Sequence, residues 1–137
     1  MYRNIEEQAK VMETTYNVPK FVFMEEANLL VNSRGKDRKI SLRFGFSRIL
    51  NAQIELIEWR AGDCIYKEFL DKGKEGLHHF SAFVDNLQAC VDEFQKKGFE
   101  VIHAGIIGRQ RYVYFDTKES FGLLLEFQET VKKIKKK

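Results

Sequence analysis

Residues 76–102 read GLHHFSAFVDNLQACVDEFQKKGFEVI, and a change of period inside this stretch decides the fold. Gly76 to Val84 is a short apolar run of strand length, headed by His78 and His79. Asp85-Asn86 then offers a helix N-cap, and Leu87, Cys90, Val91 and Phe94 recur at i, i+3, i+4 and i+7. Gly98 follows QKK where a left-handed C-terminal cap is expected, so the spacing predicts a helix over 86–97. The runs FEVIHA (99–104), RYVYFD (111–116) and GLLLEF (122–127), separated by glycine-containing turns, read as three strands. The order is strand, helix, three strands. Successive side chains along a strand point to opposite faces, so His78 and His79 are not expected to share one core. One imidazole faces in.

The first half repeats this grammar. Asn4 is placed to cap a helix whose apolar positions Ile5, Ala9, Met12 and Tyr16 keep helical spacing, and NVPKFVF leads out of it into a strand. Further strands are expected at 39–46 (KISLRFGF) and 52–59 (AQIELIEW), with the polar NSRGKDRK as the loop before them. Asn4, Ala9 and Met12 superpose on Asn86, Val91 and Phe94 at a constant offset of 82, which marks an internal duplication. The chain therefore divides into module one (about 1–60), a connecting helix (about 63–73), module two (about 76–129) and a basic tail (130–137). The fold class is α+β, two paired βαβββ modules, with only Met1-Tyr2-Arg3 where the first module should have its opening strand.

At 137 residues, 44% apolar and 31% charged, the chain is one globular domain's worth. No run reaches the ~18 apolar residues of a membrane span, and MYRNIEEQAK has neither a basic head nor an apolar core of a signal sequence, so a soluble cytoplasmic protein is expected. Cys64 and Cys90 are too few and too far apart for a disulfide framework or a zinc knuckle. The net charge of +3 includes five lysines in residues 132–137, which leaves −2 on the remainder. A slightly acidic body argues against nucleic acid as partner.

Two carboxylates sit inside apolar strands. Glu55 in QIELIEW shares a face with Gln53 and Ile57, and Glu126 in GLLLEFQE shares a face with Leu124 and Gln128. Burying an unpaired carboxylate is costly, so each position needs a reason. Two strand carboxylates at matching places in the repeats, plus a strand-head imidazole, are the donor set of a divalent metal such as Zn, Mn, Co or Ni. The competing reading puts both glutamates on the solvent face of an antiparallel sheet.

GLHHFSAFVDNLQACVDEFQKKGFEVI followed by RYVYFDTKESFGLLLEF resembles the second module of the vicinal oxygen chelate superfamily, which includes glyoxalases, bleomycin-resistance proteins and extradiol dioxygenases. NAQIELIEW, then YKEFLDKGKEGLHH, is most similar to the methylmalonyl-CoA epimerase branch. The resemblance spans about residues 4–129. It implies a metal held by Glu55, His79 and Glu126, with His79 facing the cleft and His78 facing away. The family's fourth ligand is a histidine on the first module's opening strand, and the branch's carboxylate on the strand read here as KISLRFGF has no counterpart.

The implied activity is a metal-dependent isomerase, epimerase or lyase that stabilises an enolate of a small 2-oxo or acyl-thioester substrate, as in methylmalonyl-CoA epimerase or lactoylglutathione lyase. Glu126 and Glu55 are the candidate proton-transferring groups. The alternative is a non-catalytic protein of the same fold that sequesters its ligand. A third reading, a nucleic-acid-associated module, rests on the lysine tail alone. An uncovered sheet edge beside the shortened module predicts a homodimer. Arg109 and Arg111 are expected to be solvated, with anion binding as the less favoured role, and Phe44, Phe46, Phe83, Tyr112 and Tyr114 are candidates for an aromatic wall.

Overall fold

The computed structural model describes residues 1–131, and the basic segment KKIKKK lies outside the described residues. The elements follow the duplication: α1 (Ile5–Tyr16), β1 (Val22–Ser33), β2 (Lys36–Ile49), β3 (Ala52–Ala61), α2 (Ile65–Asp71), β4 (His79–Phe83), α3 (Leu87–Lys96), β5 (Val101–Ile107), β6 (Gln110–Phe115), α4 (Lys118–Phe121) and β7 (Leu124–Thr130). They fall into two compact units, residues 1–28 with 39–77, and residues 29–38 with 78 onward.

In the first unit the strands are ordered β3-β2-β1, and α1 lies on one face. The Asn4 side chain accepts from the Glu7 N–H at 3.1 Å and starts the helix. Ile5 and Ala9 then bury against Val18, Phe21 and Leu56, with Met12, Phe23 and Ile54 at the margin. Tyr16, at the end of the expected apolar stripe, is instead 67% exposed, because Asn17 in the left-handed region ends the helix there. A Cβ on Gly45 would come within 2.8 Å of the Phe23 ring, so glycine lets that ring lie against β2. Glu58, on the same face as Ile54 and Leu56, accepts from the Ile5 N–H at 2.9 Å and pairs with Arg60 at 3.0 Å. A buried carboxylate thus satisfies an orphan amide at a positive helix end.

The stub takes the place of an opening strand. The Tyr2 N–H donates to the Ile57 carbonyl at 3.1 Å, and Met1 exchanges a pair of backbone bonds with Gly76, each 2.9 Å. In the second unit the Val84 N–H donates in the same way to the Gln128 carbonyl at 2.8 Å. Tyr2 and Val84 differ by the duplication offset, so Ile57 corresponds to Gln128. Two residues earlier, Glu55 corresponds to Glu126.

The second unit orders its strands β1-β5-β6-β7-β4, antiparallel except for the parallel pair β4 and β7. The Asn86 side chain caps α3 by accepting from the Ala89 N–H at 3.0 Å, and Gly98 follows with φ 88°. Leu87, Val91 and Phe94 of α3 pack on Val101, Ala104, Val113, Phe115 and Phe127. This uses up one face of the sheet.

Two strand expectations are revised. The segment NSRGKDRK is a two-residue turn at Arg34-Gly35 inside one long hairpin, with φ 50° and 73°. Positive φ at both central positions is the geometry whose twist matches paired strands. The run from Gly76 becomes strand only at His79, so His78 precedes it. Among the described residues no helix is long and apolar enough to cross a membrane.

Candidate active site

The face of the second unit opposite α3 is polar. Antiparallel partners directly opposite each other project to the same side, so the register can be followed strand by strand. Ser33 pairs with His103, His103 with Tyr114, Tyr114 with Glu126, and Glu126 with Ser81. One polar row therefore crosses five strands. Ser33, His103, Tyr114 and Glu126 are all at least 95% buried. Tyr112, opposite Gln128, lies on the same side, and its hydroxyl would be 2.5 Å from a Cβ on Gly105. Glycine there leaves the phenol its place.

His79 is brought to this row from the head of β4. Its Nε2 lies 3.7 Å from Glu126 Oε2 and 3.3 Å from the Tyr114 hydroxyl. Gln128 Nε2 donates to Glu126 Oε2 at 2.9 Å and to Ser81 Oγ at 2.8 Å, which fixes the carboxylate on its other side. The edge-on arrangement of His79 and Tyr114, 75° between ring planes, aims the imidazole edge at the hydroxyl and carboxylate.

His78 does not face away. Its Nδ1 is 3.0 Å from His79 Nδ1, and the ring is 4% exposed. Strict alternation fails because His78 sits one residue before the strand, where the two-residue period does not apply. Burial, and secondarily the charge of His79, lower the His78 pKa from 6.5 to about 2. His78 is therefore neutral throughout the working range, and one of the two facing Nδ1 atoms carries the proton. With that proton on His79 the lone pair of its Nε2 points at the Tyr114 hydroxyl and Glu126.

The sequence-expected site residues are placed as follows. His79 and Glu126 are together. Glu55 is half-buried in the first unit, on the face of β3 away from α1, where it pairs with Phe46. Among the described residues no three His, Cys, Asp or Glu side chains are gathered so as to hold a metal ion. Arg109 is tied to the Val131 carbonyl through Nη2 (2.8 Å) and Nε (3.2 Å), and Arg111 lies 3.6 Å from Glu129. Phe83 is 66% exposed. The residues that sequence reading left out of the site are His78, His103 and Ser33. No local pattern marks Ser33 or His103, because pairing between strands distant in the chain sets the row.

The donor chemistry suits a small divalent cation in part. An imidazole nitrogen and a carboxylate oxygen 3.7 Å apart are within reach of one ion with bonds of about 2.0–2.2 Å to each. The second nitrogen of His79 is already held by a neighbour, as ligating histidines require.

The model of the glyoxalase, bleomycin resistance protein and dioxygenase superfamily matches residues 1–115. The chain belongs to this superfamily. Among solved structures, a hypothetical protein from Bacillus halodurans is 20% identical over 98% of this chain and 92% of its own, with a TM-score of 0.72. The methylmalonyl-CoA epimerase of Mycobacterium tuberculosis is 19% identical over 94% of this chain and 82% of its own, at 0.66. A methylmalonyl-CoA epimerase in complex with methylmalonyl-CoA and NH4+ is 20% identical over 93% and 88%, at 0.69. These likenesses show the superfamily fold, in which the paired α+β modules of this chain are at home. No curated protein matches the chain in sequence.

Proposed function

We propose that this superfamily member is a divalent-metal-dependent isomerase, epimerase or lyase acting on a small 2-oxo or acyl-thioester substrate. His79 and Glu126 would hold the ion. The observation that carries this reading is the 3.7 Å approach of His79 Nε2 to Glu126 Oε2 inside a buried polar row. Burying an imidazole and a carboxylate costs desolvation that an apolar strand face would avoid, which supports a use beyond packing. The similarity in fold to the methylmalonyl-CoA epimerases supports including an acyl-thioester among the candidate substrates.

A bound dication supplies charge stabilisation for a carbonyl oxygen that turns negative as the adjacent C–H loses its proton. The protein's own groups do the rest. Glu126 is positioned by Gln128 to accept a proton through its carboxylate, and the Tyr114 hydroxyl is a hydrogen-bond donor to an oxygen beside His79 Nε2. Burial of the row excludes water from the reacting carbon.

One feature favours a second reading, ligand sequestration. The strand face around Glu55 presents Phe44 and Phe46, so the first unit offers no further carboxylate there as a second acid or base.

The test is solvent-deuterium exchange at the carbon beside the carbonyl, followed by mass spectrometry. Methylmalonyl-CoA and the hemithioacetal of methylglyoxal and glutathione are offered to the full chain loaded in turn with Zn, Mn, Co and Ni. Exchange that disappears in His79→Ala/Glu126→Ala supports the enzyme. Binding of either compound without exchange supports sequestration.

A further inference from the structure

The polar row does not stop at Glu126. It continues through Tyr114 and His103 to Ser33, two and three strand spacings away, or roughly 10 and 14 Å at the level of the backbones. Ser33 is 5% exposed, and its Oγ has no hydrogen-bond partner among the described residues. A buried hydroxyl without a partner is disfavoured, and serine has no packing advantage over alanine that would offset it. The same side of these strands carries the His103 ring, which lies 5.9 Å from Tyr112 and 5.7 Å from Tyr114 between centroids. The Ser33 and Tyr112 hydroxyls and the His103 imidazole therefore line the part of the row beyond Tyr114, whose own hydroxyl reaches His79.

We infer that Ser33 and His103 form a second subsite that binds an uncharged oxygen, a hydroxyl or carbonyl, on the tail of the substrate whose reacting end lies at His79 and Glu126. The inference rests on the proposed function and narrows its substrate class. The chemistry of the lining sets the charge: Val31, Ser33, His103, Gly105, Tyr112 and Tyr114 include no lysine or arginine. A carboxylate taken out of water here would meet no cation, whereas a neutral oxygen finds a hydroxyl that both donates and accepts. The spacing sets the length. A ligand reaching both ends needs several carbons between its two oxygen-bearing groups.

Calorimetric titration of the full, Zn-loaded chain tests this with oxalate, 2-oxohexanoate and 6-hydroxy-2-oxohexanoate. The hydroxylated acid is expected to bind about tenfold tighter than 2-oxohexanoate, the effect of one added hydrogen bond in a buried site. Ser33→Ala is expected to bring it down to the affinity of 2-oxohexanoate with no loss in Tm, since deleting an orphan hydroxyl does not destabilise. Oxalate bound by the parent without preference for the hydroxylated acid overturns the subsite alone. A preference that survives Ser33→Ala does the same. Failure of oxalate and of both 2-oxo acids to bind overturns the proposed function, and the subsite with it.

Discussion

The two units build the same strand arrangement around corresponding carboxylates and fill it differently. In the second, Glu126 pairs with Tyr114 and Gln128 with Tyr112, and His79 is within reach. In the first, Glu55 pairs with Phe46 and Ile57 with Phe44, and the two phenylalanines stack at 5.9 Å. Register is a backbone property and survived duplication. Polarity is a side-chain property and did not. One unit thus has a carboxylate hydrogen-bonded by Gln128, and the other has a carboxylate that pairs with a phenylalanine and acts on the Met1 amino group.

The largest effect that would break this contrast is on ligand chemistry. Glu126→Gln is expected to lower deuterium exchange by about 10³-fold, the upper range for losing both a proton acceptor and a charged ligand. Glu55→Gln should cost about tenfold less than that. Equal losses in a steady-state comparison would mean the two halves are not specialised.

Next in size is pH. His78 has its pKa lowered in the folded state, so the unfolded chain binds more protons below pH 6.5 and stability falls as pH falls through that value. At pH 5 the unfolded imidazole is about 1.5 units below its own pKa, which bounds the loss at about 2 kcal/mol. Chemical denaturation at pH 6 and pH 5 should show this, and His78→Phe should reduce the difference. The Met1 amino group of the first unit, lowered by burial from 8.0 to about 6, adds a fall of the same sign above pH 6, so it is an unchanged slope below pH 6 in the variant that would contradict the burial of His78.

Glycine substitutions sharpen the contrast further. Gly105→Ala pushes on the Tyr112 hydroxyl and Gly45→Ala on the Phe23 ring, each expected to cost about 1–3 kcal/mol. Only Gly105→Ala should also weaken ligand binding. Smallest are the caps: Asn4→Ala and Asn86→Ala should each cost about 1 kcal/mol in thermal denaturation, and matched values would show that the duplication extends to energetics.

What could be read in the sequence was what local periodicity encodes. The caps at Asn4 and Asn86, the apolar stripes of α1 and α3, and the shared face of Glu126 and Gln128 need only neighbours a few residues away. The Arg34-Gly35 turn was hidden because an arginine occupies a left-handed position usually marked by asparagine or glycine. His78 was misassigned because one residue separates it from the start of β4, and no pattern marks that boundary. Glu58 was passed over although it shares a face with Leu56, since its partner amide at Ile5 is 53 residues away. The Ser33 to Glu126 row depends on pairings between distant strands and became visible only with the register.

The most direct measurement is metal content by plasma mass spectrometry on untagged full-length protein, after incubation with Zn, Mn, Co and Ni and removal of free ion, beside His79→Ala/Glu126→Ala. The account predicts close to one ion per chain in the parent and a loss of at least tenfold in the variant, at unchanged circular dichroism. Protein that retains no ion, or a variant that retains as much as the parent, would contradict it.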